Sequence, residues 1–406
     1  MAGADVSHLS FFEERGIVYR NAGQAFDALM MLKQRGLNCA RLRLFTSSAP
    51  QAQADPYNSI NNLDYTLPLA VRVKQAGLKL LLDFHYSDTW ADPGKQTKPA
   101  AWTNLSFAQL EQRMYDYNSN TIAAFKAAGA MPEYVQVGNE IIQGLLWPDG
   151  KVGGSSDTPA QWQKLGVLLK AAIRGIKDAA TDLPPQIMIH IDRGGDWAGT
   201  KWYFDNLLQQ QVEFDIIGES YYPFWHGSLD ALKNCLINAS ARYAKPIVVA
   251  ETAFPWSNST NIFGITASPE GQIDFVVELA RIVSAVPSGG GIGIVWWGTE
   301  YQRLSGVGLA GFDRRSFFDR DGNILPVAVA LGQLTAPIQL RATLSHITPT
   351  LQWPFSGVGL SLATSTNLSG ATWSSVTNAA QSTGLVFSVT LPGDVSHTRF
   401  FRLQPP

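Results

Sequence analysis

Short apolar runs and longer amphipathic stretches take turns along most of this chain. The short runs are Ala2–Ser7, Cys39–Phe45, Lys79–Phe84, Tyr134–Val137, Gln186–Asp192, Phe214–Tyr222, Pro246–Glu251 and Gly291–Gly298. Most carry few charges before their last residues, which is how a strand buried on both faces reads. Between them, Gln24–Gln34, Leu63–Gln75, Phe107–Ala128, Ala160–Ala180, Lys201–Gln210, Leu229–Tyr243 and Pro269–Val286 place apolar residues at helical spacing, and Asn323–Leu334 closes the series. Gly36, Gly77 and Gly129 follow three of these stretches, as glycine follows helix ends. Eight strand-helix alternations over about 330 residues predict parallel βαβ units closed into an α/β fold, the (β/α)8 TIM barrel.

The polar residues sharpen this. Asp5, Arg43, His85, Asp88, Asn139, Glu140, Asp192, Tyr222 and Glu251 all stand at or just past strand ends, where a barrel builds its catalytic face. A doubly wound sheet would instead gather its ligand residues at one switch point. After Ala336 the texture changes to short Thr/Ser/Val-rich runs, Ile338–Ile347, Val358–Thr364, Val386–Leu391 and Arg399–Leu403, broken by Gly, Pro and Asn. The expected division is a catalytic barrel over 1–335 and a small antiparallel, β-sandwich-like domain of open role over 336–406. Its Trp353 and Trp373 are expected in a core rather than on a sugar-binding face.

Composition excludes more than it selects. In 406 residues, 45% hydrophobic and 16% charged describe a folded chain. A net charge of -2 leaves no basic footprint for nucleic acid or anionic lipid. No apolar run reaches the ~18 residues of a membrane span. Cys39 and Cys235 are expected as buried thiols, not a bridge. Twelve tryptophans exceed what a core demands and suit a sugar cleft. No export signal precedes the first strand. Sugar polymers of the kind a Trp-rich cleft suits lie outside the cell, so the expectation is a secreted or periplasmic monomer whose signal peptide has been removed.

Two strands deliver carboxylates. Tyr134–Val137 leads through Gly138 and Asn139 to Glu140, and Pro246–Ala250 leads to Glu251. Glycosidic cleavage needs one carboxylic acid to protonate the leaving oxygen and one carboxylate on the other face of the ring. Glu140 suits the acid/base role, Glu251 the nucleophile, and Asn139 a contact to a sugar hydroxyl. Arg43, with Arg41 as second candidate, is expected to hold Glu251 ionised. Even singly, a catalytic role for either glutamate outweighs the bland reading of a helix cap or an arginine partner, and for the two together the bland reading falls much further. The loop Asp83–Gly94 packs His85, Asp88, Asp92 and Trp90 closely. It reads as a sugar platform ahead of a metal site. His190 and His226 read equally well as structural strand-end histidines.

Five stretches, Leu82–Gln96, Val137–Ile141, Leu146–Pro148, Ser220–Gly227 and Glu251–Trp256, resemble in order the signatures of glycoside hydrolase family 53, the arabinogalactan endo-β-1,4-galactanases. The resemblance runs from Gly3 to about Leu334. It implies a retaining mechanism with Glu140 as acid/base and Glu251 as nucleophile, and a β-1,4-galactan substrate from pectin side chains. It also implies that Asp83, His85, Asp88, Trp90, Trp225 and His226 lie in or beside the cleft, with Trp297 as its floor. With these go Tyr222 and Asp192 as substrate contacts. No cofactor is expected; a structural calcium, known in some relatives, has no Asp-rich loop here to demand it.

The sequence also departs from that family pattern. Strand eight ends Trp296-Trp297-Gly298-Thr299-Glu300, so Gly298 stands where a glutamate is usual; Ile142 follows Ile141, and Glu219 enters the strand-six motif. Two other readings therefore stay open: a related barrel hydrolase with a shifted β-1,4-glycan substrate, and a non-catalytic glycan-binding protein.

Overall fold

In a computed structural model of the chain, all eight predicted strands close into one parallel barrel. The structure describes residues 1–346, 348–357, 360–368, 372–378, 380–383, 386–392 and 398–404. Strands β1 (Ala2–Asp5), β2 (Cys39–Leu44), β3 (Lys79–Phe84), β4 (Tyr134–Val137), β5 (Gln186–Ile191), β6 (Ile216–Ser220), β7 (Ile247–Thr252) and β8 (Gly291–Trp296) pair in sequence order, and β1 meets β8 to close the ring. The crossover helices are α1 (Ala28–Gln34), α2 (Leu63–Gln75), α3 (Phe107–Ala127), α4 (Pro159–Ala179), α5 (Trp197–Gln209), α6 (Leu229–Tyr243), α7 (Pro269–Ser284) and α8 (Val327–Gly332).

Caps decide where the helices begin. The Asp196 side chain accepts from the Gly199 amide, so α5 starts four residues before the predicted Lys201. Asp27 caps α1 through the Met30 amide, and Gln24–Ala25, expected as helix, pairs instead with Arg20–Asn21 in a hairpin.

The barrel interior is layered. Its floor is an apolar cluster of Cys39, Leu81, Met188, Ile216, Val248, Ala250 and Val295. Two residues further along the same strands stand Arg41, Asp83 and His190; on β6 Gly218 takes that place and Ser220 follows two residues beyond it, the polar side chains all buried. On β7 the period-2 rule breaks. Glu219 pairs with Val249 but Ser220 pairs with Glu251, so β7 carries one extra residue at Ala250. Such a bulge re-aims the side chain that follows it, and here that side chain is Glu251.

Beyond Thr335, strands β9 (Arg341–Ser345), β10 (Thr348–Pro354), β11 (Ser361–Ser365), β12 (Ser374–Ser375), β13 (Gln381–Thr383), β14 (Val386–Thr390) and β15 (Phe400–Gln404) form two antiparallel sheets, ordered β9-β10-β14-β13 and β12-β11-β15. Leu351, Trp353, Leu362, Val389 and Leu391 make one buried cluster. Trp353 is thus core, and Trp373 is half-buried with the Arg402 guanidinium 4.4 Å from its ring centroid. Ile347 and Val358, ends of two predicted runs, lie outside the described residues. Cys39 and Cys235 are free, buried thiols.

Candidate active site

A cavity of about 370 Å³ opens at the C-terminal ends of the strands. Arg43, His85, Trp90, Asn139, Glu140, Tyr222, Trp225, Glu251 and Trp297 line it. Nine of the thirteen residues predicted for the site therefore meet in one place. Asp92, with Ala310 and Phe312 from the loop after β8, completes the wall.

Gly138 takes φ +90°, and a Cβ there would stand 2.6 Å from Ile141 Cγ2. Only glycine fits that close approach. Glu140 itself is left-handed, at φ 49° and ψ 50°. That sharp turn lifts its carboxylate off the strand axis into the cavity.

Glu251 is held by a cation. Arg41 Nη2 lies 2.9 Å from Glu251 Oε1, and the Tyr222 hydroxyl donates to Oε2 at 2.9 Å. Arg41 also reaches Asp5 at 2.9 Å and Asp83 at 2.8 Å, and it donates to Asn139 Oδ1 at 2.9 Å. The expectation that Arg43 holds Glu251 is corrected here. Arg43 stands 3.5 Å from Asp5 and 2.8 Å from His8 Nδ1, with its guanidinium 4.4 Å from the Trp90 ring. Both arginines point inward from one face of β2, but Arg41 sits one pleat deeper, where Glu251 reaches it.

Glu140 has no cation. The Ser220 hydroxyl donates to its Oε1 at 2.6 Å. Ser220 Oγ is in turn 2.9 Å from His190 Nε2, and His190 Nδ1 is 3.1 Å from Asn139 Oδ1. Burial holds His190 well below its usual pKa, so the ring is neutral. Burial, then the charges of Glu251 and Asp192, push Glu140 well above the usual carboxylate range. Burial raises Glu251 too, but Arg41 and the Tyr222 hydroxyl pull against it. Glu251 is the member of the pair that ionises first.

The remaining predicted residues divide. Asp83 is fully buried behind the cavity, bound by Arg41 and Gln136 and 3.0 Å from His85 Nε2. His85 Nδ1 accepts from the Ala91 amide, fixing the loop that carries Trp90. Asp88 turns away: it accepts from Thr46, Gln51 and the Ala100 amide, bracing that loop outside the cavity. His226 also stays out of the lining. Its Nδ1 accepts from the Tyr222 amide, and burial brings its pKa to about 4. Asp192 pairs with Arg193 at 2.9 Å, and burial raises it to about 7. Trp225 is 61% exposed where it lines the cavity.

Both departures on strands six and eight point away from the cavity. Glu300 is buried with Oε1 accepting from the His8 amide at 2.7 Å, so it does not replace the carboxylate absent at Gly298. Glu219 faces outward, accepting from Thr200 and the Arg193 amide. Sequence reasoning missed Ser220 and the loop residues Ala310 and Phe312, and it ranked Arg41 second. Alternation along β2 turns Arg41 and Arg43 inward alike and does not choose between them.

Residues 1–331 match the family model described as glycosyl hydrolase family 53. The chain belongs to glycosyl hydrolase family 53. It is 43% identical over 310 residues to a Niallia circulans protein described as an uncharacterized protein in bgaB 5'region, covering 73% of this chain and 82% of that one. It is 36% identical to an arabinogalactan endo-beta-1,4-galactanase of Thermothelomyces thermophilus, covering 80% and 96%. Among solved structures, one of two fungal beta-1,4-galactanases superposes with a TM-score of 0.72 at 34% identity, over 81% of this chain and 98% of the other. The (β/α)8 barrel read from the sequence is thus the architecture of a glycoside hydrolase. Among the described residues no group of three or more His, Cys, Asp or Glu side chains is gathered for a metal. His85, Asp88 and Asp92 in particular accept from three different groups, the Ala91 amide, the Gln51 side chain and the Gly94 amide. No described helix is long and apolar enough to cross a membrane.

Proposed function

We propose that this family 53 enzyme is an endo-acting arabinogalactan β-1,4-galactanase that cleaves galactan with retention of configuration, through a covalent glycosyl-enzyme. The observation that carries the reading is the unequal pair in one cavity: Glu251 against Arg41, Glu140 against Ser220. Glu251 attacks the anomeric carbon while protonated Glu140 gives its proton to the departing oxygen. Glu140, now charged, then takes a proton from the water that releases the sugar. Asn139 spends Oδ1 on Arg41 and one N–H on the Ala91 carbonyl, which leaves one N–H for a sugar hydroxyl. Trp90, Trp225 and Trp297 offer ring faces to the chain of sugars. Pectin side chains as the natural source, export from the cell, and action as a monomer without a cofactor belong to the same proposal.

Reducing-end release from linear β-1,4-galactan, with the first-formed anomer followed by NMR, tests it. Glu251→Ala is expected to lose several orders of magnitude of kcat on every substrate. Glu140→Ala is expected to lose as much on galactan but far less on an aryl galactoside whose leaving group needs no proton. An active Glu251→Ala enzyme, or an inverted first product, sinks the mechanism.

A further inference from the structure

The loop after β8 carries more positive charge than its surroundings explain. Between 303 and 320 lie Arg303, Arg314, Arg315 and Arg320 against Asp313 and Asp319, four charges less two, in a chain whose total is -2. None of the four arginines enters an ion pair among the described residues. Arg303, Arg314 and Arg320 are exposed, but Arg315 is not a solvated surface cation. Its guanidinium carbon lies 4.1 Å from the Phe224 ring centroid and 4.4 Å from that of Phe312. Its Nη1 is buried with no hydrogen-bond partner. Burial draws its pKa below the ordinary arginine value, as uncompensated charge requires.

Its position links it to the cleft. A cavity of about 340 Å³, lined by Phe224, Ala310, Gly311, Arg314 and Arg315 among others, shares Ala310 with the catalytic cavity. A further cavity of about 550 Å³ shares Gly311 and Arg314 with it and adds Arg303 and Arg320, three guanidinium groups against the one carboxylate of Asp313. Phe312 and Trp225, which wall the catalytic cavity, both face the Arg315 guanidinium, at 4.4 and 5.8 Å. A glycan leaving the catalytic cavity past Trp225 and Ala310 meets a row of unpaired guanidinium groups. A neutral galactan has nothing for them to bind, whereas a carboxylate matches the guanidinium fork in both geometry and charge.

We propose that the cavities along this loop form a subsite for a carboxylate-bearing sugar, a uronic acid joined to the galactan being cleaved. This rests on the galactanase reading above and adds a preference for acidic over neutral substrate. The two stacked rings hold Arg315 in place before any ligand arrives, so little ordering cost remains on binding.

The test compares KM for linear neutral galacto-oligosaccharides, for the same chains joined to galacturonate, and for sulfated chains, at low and high salt. The wild type is expected to show a KM roughly 3- to 10-fold lower for the galacturonate-bearing chain, with the advantage fading in high salt. Arg314→Gln, at an exposed side chain that folding does not need, is expected to remove part of that advantage and leave neutral galactan untouched. Arg315→Gln is expected to remove more of it. Equal KM for acidic and neutral chains, or an Arg314→Gln effect of the same size on both, overturns the subsite. An equal advantage for the sulfated chain overturns the carboxylate assignment. No cleavage of neutral galactan by the wild type fails the galactanase reading itself, and the subsite falls with it.

Discussion

Glu140 and Glu251 are the same residue at the ends of β4 and β7, and they line one cavity, yet their surroundings are opposite. Glu251 rests on Arg41, which also gathers Asp5, Asp83 and Asn139. Glu140 rests on a neutral hydroxyl, itself placed by a neutral histidine. A continuous chain of hydrogen bonds runs between them: Glu251, Arg41, Gln136, His190, Ser220, Glu140. The cation sits at one end of that chain only. Two groups with equal reference pKa values are separated by giving one a full counter-charge and the other only dipoles and like charges. The asymmetry is built into the interior of the barrel, behind the cavity, and needs no ligand to establish it.

The hardest blow to this difference is loss of Arg41. In Arg41→Met, Asp83 and Glu251 lose their cation together and Asp5 keeps only the longer contact to Arg43, and the expected cost is about 3–5 kcal/mol by urea unfolding. Where the variant still folds, the acid limb of kcat/KM moves to higher pH, because Glu251 without its cation holds its proton longer. Arg43→Met is the contrast. It removes a longer contact to Asp5, which keeps Arg41, and it leaves Glu251's partner in place. Its acid limb is expected to stay where the wild type's is. If Arg43→Met moves that limb as far as Arg41→Met, the assignment of the two arginines is wrong.

Much of this was legible in the residues. The eight apolar runs give the barrel because a strand covered on both faces tolerates few charges, and Glu140 and Glu251 stand out where those runs stop. The choice between Arg41 and Arg43 was not legible. Both point inward from β2, only about 7 Å apart along the strand. Which of them meets Glu251 depends on the extra residue in β7 at Ala250, and nothing in Ile247–Thr252 marks a bulge. Asp88 and His226 look like site residues in their motifs, but their side chains are consumed by backbone amides in the loops they shape. Phe312 carries no periodic signal, and alternation along β6 turns Ser220 inward without marking it as the partner of Glu140. Barrel closure brings them to the site, and closure is a long-range event.

Two substitutions sharpen the Glu140 side and are expected to move it in opposite directions. The Asp192 charge helps hold the proton on Glu140, so Asp192→Asn lets it leave earlier and the alkaline limb moves to lower pH. At pH 8 its kcat/KM is expected several-fold below wild type, with little change at pH 5. The Ser220 hydroxyl stabilises the charged form of Glu140, so Ser220→Ala moves the limb to higher pH. It also costs roughly tenfold in kcat at the optimum, because Glu140 loses the group that orients it. Limbs that move together in both variants contradict the arrangement drawn here.

Glu300 offers the mildest and cleanest comparison, a third buried glutamate with no place in the cavity. Burial, and then the nearby Asp5 charge, raise it to about 8, while Arg43 pulls it down. A carboxyl whose folded pKa exceeds its unfolded value near 4.3 binds more protons when folded. Its contribution to stability is complete below about pH 4.3 and drains away as pH rises toward 8. Glu300→Gln keeps an oxygen for the His8 amide and cannot ionise. The variant should match the wild type in kcat and KM while its Tm falls less steeply between pH 5 and pH 9. Parallel Tm curves would mean that Glu300 is already ionised in the fold. Burial alone would then be too weak to hold a proton on a glutamate in this barrel, and the protonated state of Glu140 would have to come from Asp192 and Glu251.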